Sequence, residues 1–162
     1  YSDCGVIPEP DTDQLVDIAY NASKFHELLS EEESRTAFLS FSTKGSAEHY
    51  RVEKVREAVK LFSKKHKDIL HDGELQFDAA IDPEVARIKD PSSKLKGRAN
   101  VFIFPNLDSG NIAYKITQRL GGYSALGPLL QGLKKPVHDL SRGCSIDDIV
   151  LVAAISALQK GI

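Results

Sequence analysis

Asn100-Val-Phe-Ile-Phe-Pro-Asn-Leu-Asp-Ser-Gly-Asn-Ile-Ala-Tyr-Lys115 holds the pattern that decides the fold. Four apolar residues in succession, Val101 to Phe104, suit a buried strand. Pro105 removes the N–H that a continuing ladder would need. A polar turn of Asn106, Asp108, Ser109 and Gly110 follows. The spacing then predicts a helix from about Ser109 to Leu120, closed by Gly121-Gly122. Strand, tight turn and helix in succession is the unit from which α/β sheets are built.

The same alternation extends in both directions. Upstream, Asp11 and Gln14 have the spacing of a capping box, and Leu15, Ile18, Ala19, Ala22, Phe25 and Leu29 recur at helical intervals behind it. Thr36 to Thr43 predicts a buried strand ending at Lys44-Gly45. Val52, Val55, Val59 and Phe62 line one face of a second helix, with lysines and glutamates on the other. Leu75-Gln-Phe-Asp78 predicts a short strand, Pro83 opens a brief helix, and residues 90–97 form a polar loop. Downstream, residues 123–133 are apolar and glycine-punctuated, which predicts an extended or irregular segment. A last helix, Ser145 to Leu158, is apolar nearly all round and is expected to be buried. The order predicts an α/β fold with a mainly parallel sheet.

Composition narrows the function classes. The 162 residues carry 21 basic and 23 acidic side chains, a net charge of −2, so no bulk field draws in nucleic acid or an anionic membrane. Cys4 and Cys144 lie far apart and are expected as free thiols, in neither a disulfide nor a zinc-binding spacing. The histidines form no spaced pair typical of a metal site, and His66 and His71, in a lysine-rich stretch, are expected to face solvent. No apolar run approaches the ~18–20 residues of a membrane span. The opening Tyr1-Ser-Asp-Cys has no methionine and no cap ahead of it, which predicts a piece of a longer chain.

Two segments carry candidate chemistry. In Leu133-Lys-Lys-Pro-Val-His-Asp-Leu-Ser-Arg-Gly-Cys-Ser-Ile-Asp-Asp-Ile149, a loop presents Ser141 and Arg142 just ahead of a helix start. Unpaired amides of a first turn, with a planar guanidinium beside them, suit a phosphate or a developing oxyanion. Asp148 stands three residues inside that helix and has two readings from spacing, a capping box with Ser145 or a group acting on a bound ligand. Cys144 has no histidine placed by sequence to activate it as a nucleophile. In the Phe104–Lys115 segment, Asn106 sits in the turn, where α/β sheets bind ligands, and Asn111 and Lys115 share a helix face. A capped helix with a solvated lysine explains that segment equally well. The turn Ser42-Thr-Lys-Gly-Ser46 is too short for a nucleotide-type phosphate loop.

Taken together, several stretches resemble the phosphate acetyltransferase family. They are Asp3-Cys-Gly-Val-Ile-Pro8, Ser40-Phe-Ser-Thr-Lys-Gly-Ser46, Glu53-Lys-Val-Arg-Glu-Ala58, Asp72-Gly-Glu-Leu-Gln-Phe-Asp-Ala-Ala80, Pro83-Glu-Val-Ala86, Phe104 to Lys115 and Pro136-Val-His-Asp-Leu-Ser-Arg-Gly143. The resemblance implies a three-layer fold like that of the isocitrate and isopropylmalate dehydrogenases. Residues 1–130 would form the second domain, and 131–162 would complete a first domain whose amino-terminal half lies outside this chain, leaving the chain alone inactive. It implies a cytoplasmic homodimer of acetate metabolism that moves an acetyl group between acetyl phosphate and coenzyme A, with no prosthetic group, metal, nucleic acid or membrane partner. By the same resemblance Asp148 is the general base, and Arg142 and Ser141 stabilise charge. Cys144 neighbours the site, and Asn106, Asn111 and Lys115 contact coenzyme A. Two other readings stay open: a non-catalytic acetyl-CoA sensor attached to a malic enzyme, and a propionyl or butyryl transferase.

Overall fold

The computed structural model describes residues 1–159. In chain order the elements are α1 (Thr12–Ser30), β1 (Arg35–Leu39), α2 (Tyr50–Lys65), β2 (Leu70–Leu75), α3 (Phe77–Ile81), α4 (Pro83–Lys89), β3 (Val101–Ile103), α5 (Leu107–Gly121) and α6 (Ile146–Gln159). They fall into two compact units, Tyr1–Asn111 and Ile112–Ile162, and the division lies inside α5.

In the first unit the three strands form one parallel sheet in the order β2-β1-β3. Ser2 extends it beyond β3, donating its N–H to the Phe102 carbonyl at 2.9 Å and accepting from the Phe104 N–H at 2.7 Å. Alternation along each strand assigns the two faces. Phe38, Val101 and Ile103 meet Leu15, Val16, Ala19 and Ala22 of α1 and Val55, Ala58 and Phe62 of α2 in one buried core. Phe102 points the other way, its ring 5.2 Å from Phe77 of α3 and 5.6 Å from Tyr1. The sheet therefore has packing on both faces, as the α/β expectation requires.

Helix starts follow local chemistry. The Asp11 carboxylate accepts from the Gln14 N–H at 2.8 Å while the Gln14 carbonyl oxygen accepts from the Asp11 N–H at 2.9 Å, the predicted capping box. Asp82 caps α4, with Pro83 in its first turn. Strand β1 matches its predicted position but stops at Leu39.

Three expectations are corrected. The strand expected at Leu75–Asp78 is instead β2, Leu70–Leu75, and Phe77 already begins α3. Its polar sequence, Leu-His-Asp-Gly-Glu-Leu, hides it because the polar groups are buried with partners from elsewhere. His71, expected in solvent, is buried, with its ring nitrogens 2.7 Å from the Ser63 hydroxyl and 2.7 Å from the Ile69 carbonyl. Burial holds its imidazole below its ordinary pKa. Finally, α6 is apolar nearly all round yet buries only Val152 and Ile155, and Ile146, Ile149, Val150, Leu151 and Leu158 are exposed in this chain.

Candidate active site

In the second unit the loop ahead of α6 is shaped by its own backbone. The Cys144 N–H donates to the Ser141 carbonyl at 3.0 Å, closing a four-residue turn with Arg142 and Gly143 at its tip. A reciprocal capping box then starts α6. The Asp148 carboxylate accepts from the Ser145 N–H at 2.8 Å, and the Asp148 N–H donates to the Ser145 hydroxyl at 3.1 Å. The capping reading of Asp148 is thus realised.

The cap leaves room for a second role. Of these two bonds only the first uses the carboxylate, through a single oxygen, and no hydrogen bond engages the other oxygen among the described residues. The Ser145 backbone and hydroxyl favour the charged form and hold the Asp148 carboxyl below the usual carboxylate range. Asp148 is therefore an ionised acceptor at neutral pH, with one oxygen available to a ligand.

Asp148 borders a small hollow of about 50 Å³, whose wall also includes Ser141, Gly143 and Cys144 from the turn and Tyr114, Gln118 and Arg119 from α5. That volume admits a small group such as a thiol end or a single oxyanion, and not a nucleotide. Ser141, Cys144 and Asp148 are brought together as sequence suggested. Arg142, at the turn tip, is exposed and is not part of the wall, and no ion pair engages it among the described residues. Lys115 is exposed, its ammonium 5.7 Å from the centre of the Tyr114 ring, and it too lies off the wall. Arg119 was missed. It stands four residues beyond Lys115 on the same helix, and that spacing was the available signal.

Asn106 and Asn111 belong to the first unit, where both serve the backbone. The Asn106 carbonyl oxygen accepts from the Ser109 N–H at 3.0 Å, capping α5. The Asn111 amide donates to the Cys4 carbonyl at 3.0 Å. Cys4 is a poor nucleophile, because burial pushes its thiol up to about 11.

Two other features of the first unit do not suit an anionic substrate. In the turn after β1, the Gly45 N–H is not free for a phosphate, because it donates to buried Glu74 at 2.8 Å. Glu74 also accepts from the Ser42 hydroxyl at 2.9 Å and pairs with Arg56 at 3.2 Å. Burial pushes the Glu74 carboxyl up, but these bonds outweigh it and hold the group below its ordinary range. Lys44, in the same turn, pairs with buried Asp72. A larger concavity, about 390 Å³, is lined by Glu27, Glu31, Glu32, Glu33 and Asp68 and would repel phosphate. Among the described residues no cluster of potential ligands could hold a metal ion, and no helix is long and apolar enough to cross a membrane.

Comparison with known proteins identifies the family. Residues 1–157 match the family described as phosphate acetyl/butaryl transferase. The chain is 55% identical over 159 residues to a phosphate acetyltransferase of Acetivibrio thermocellus, covering 98% of this chain and 48% of that protein. Its structure is similar to a phosphotransacetylase from Staphylococcus aureus, with a TM-score of 0.92 at 52% identity over 98% of this chain and 49% of the other. A Streptococcus pyogenes phosphotransacetylase gives 0.93 at 50% identity, covering 97% and 47%. The chain spans about half the length of the curated relatives it matches. Matched over nearly all its residues, this chain belongs to the phosphate acetyl/butaryl transferase family.

Proposed function

We propose that this chain is the carboxyl-terminal half of a phosphate acetyltransferase, which moves an acetyl group between acetyl phosphate and coenzyme A in a ternary complex. The observation that carries the reading is the half-capped Asp148 carboxylate, with one free oxygen, beside Ser141 in a hollow sized for a small group. Residues 131–162 complete a domain whose remainder lies outside this chain, and 1–130 form the partner domain. The uncovered apolar side chains of α6 support a further covering for that helix, while the compact units of this chain divide within α5, at Asn111, and not at residue 130. The chain alone is then inactive, and the whole enzyme is a cytoplasmic homodimer.

In the forward step, Asp148 takes the proton from the coenzyme A thiol. A thiol with a pKa near ~8.5 is only a few per cent thiolate at neutral pH, so a base adjacent to it raises the reactive fraction. The thiolate attacks the carbonyl carbon of acetyl phosphate, the new C–S bond forms and negative charge builds on the carbonyl oxygen. As the carbonyl re-forms, the C–O bond to phosphate breaks and phosphate leaves with the electron pair. Ser141 donates a hydrogen bond to the developing oxyanion. Arg142, exposed at its turn tip, binds the phosphate and stabilises the charge on the carbonyl oxygen when substrate is bound. Its permanent charge suits both roles. Cys144 neighbours the reaction without entering it. Asn106, Asn111 and Lys115 contact coenzyme A in the assembled enzyme, with Asn106 using the amide nitrogen that its cap leaves spare.

The name phosphate acetyltransferase carried by the curated relatives supports acetyl as the transferred group. The carboxylate of Asp148 at the hollow favours catalysis over sensing, because a sensing site has no need of a base. The test uses the full-length gene product. Acetyl phosphate and coenzyme A should yield acetyl-CoA, followed by thioester absorbance. Binding of acetyl-CoA without turnover would replace the enzyme with a sensor.

A further inference from the structure

We infer that Arg119 supplies the guanidinium that holds a substrate phosphate at this hollow, a role that rests on the acyltransfer reading above. Arg119 lies on the wall beside Ser141, Cys144 and Asp148, and Arg142 does not. Among the described residues, no hydrogen bond or ion pair engages its side chain. Such a guanidinium keeps all five donors for a ligand. The wall already carries the Asp148 carboxylate, and Asp147 stands next to it in the first turn of α6. An anion entering there needs a compensating cation. Arg119 is the charged side chain of the wall able to supply it.

A purely structural role also has a physical basis. Arg119 lies in the last turn of α5, where a cation complements the helix dipole. The two roles predict different things. A dipole partner affects stability and not substrate affinity, whereas a phosphate ligand does the reverse.

Both substrates carry phosphate, so the experiment has separate arms. In the full-length enzyme, Arg119→Ala should lower kcat/KM for one substrate about ten- to hundredfold, as expected for a lost charge-assisted bond, with the thermal midpoint unchanged. Arg119→Lys should recover part of the loss. A loss confined to acetyl phosphate assigns the transferred phosphate. A loss for coenzyme A that vanishes with 3′-dephospho-coenzyme A assigns the 3′-phosphate, and one that persists assigns the pyrophosphate. Calorimetric binding of inorganic phosphate and of coenzyme A to wild type and Arg119→Ala reads the same contact without turnover. It therefore keeps this inference distinct from failure of the acyltransfer reading. Unchanged affinities for both ligands, or a lowered melting temperature with intact affinities, would overturn the assignment.

Discussion

Replacing Asp148 by asparagine separates the two functions that meet in one side chain. Its capping bond uses a single oxygen, accepting from the Ser145 N–H at 2.8 Å, and an asparagine carbonyl can accept the same bond. The Asp148 N–H to Ser145 hydroxyl bond, 3.1 Å, is untouched by the change. The helix start should therefore survive, and the melting temperature should stay close to wild type. The amide cannot take a proton, so turnover should fall roughly 10²–10⁴-fold, the usual size of a general-base contribution. Coenzyme A binding by calorimetry should be nearly unchanged. Ser145→Ala is the companion measurement. Ser145 holds the Asp148 carboxyl low, so the base stays ionised, and activity persists, as pH falls below the ordinary carboxylate range. Without the Ser145 hydroxyl the carboxyl pKa should rise, and the acidic limb of the kcat profile should move to higher pH. Unchanged turnover in Asp148→Asn, or loss of turnover only in proportion to loss of fold, would reduce the residue to a cap.

Arg142→Ala should lower turnover by about 10²–10³-fold, read in the thioester assay, because one preorganised donor to the oxyanion or phosphate is lost. Gly110→Ala should destabilise, although alanine normally gains up to ~1 kcal/mol over glycine in a helix. A Cβ at Gly110 would lie 2.2 Å from the Asp3 carbonyl oxygen, so the backbone must shift, and thermal melting should show a drop where a stabilised variant would refute the close approach. At pH 8 only about one Cys4 thiol in a thousand is ionised, given a pKa of about 11. Peptide-resolved iodoacetamide labelling should modify half-buried Cys144 well before Cys4, with Cys4 reacting as the pH approaches 11, and early labelling of Cys4 would contradict its burial.

Much of the first unit was legible because its signals are local. The Asp11–Gln14 capping box, the helical spacing of Leu15 to Ala22 and the Val52–Phe62 stripe each need only neighbouring residues to be read, and all three form as expected. Strand β2 was misplaced for the opposite reason. His71, Asp72 and Glu74 are buried because Ser63, Lys44, Ser93 and Arg56, distant in sequence, satisfy them. Their polarity alone reads as surface. The apolar circumference of α6 was visible, but which side is covered depends on contacts that composition does not encode. At the site, the turn and helix start around Ser141 to Asp148 were readable from residue type. The positions of Arg119 on the hollow and of Arg142 off it depend on how α5 and the turn are placed in space.

The direct route of transfer is tested most sharply by isotope exchange. The full-length enzyme is incubated with unlabelled acetyl phosphate and labelled inorganic phosphate, with and without coenzyme A. A thiolate that attacks acetyl phosphate in a ternary complex, aided by Asp148, requires that label enter acetyl phosphate only when coenzyme A is present. Exchange in its absence, abolished by Cys144→Ala, would mean that an acyl-enzyme forms on the cysteine and that the carboxylate is not the group that starts the reaction.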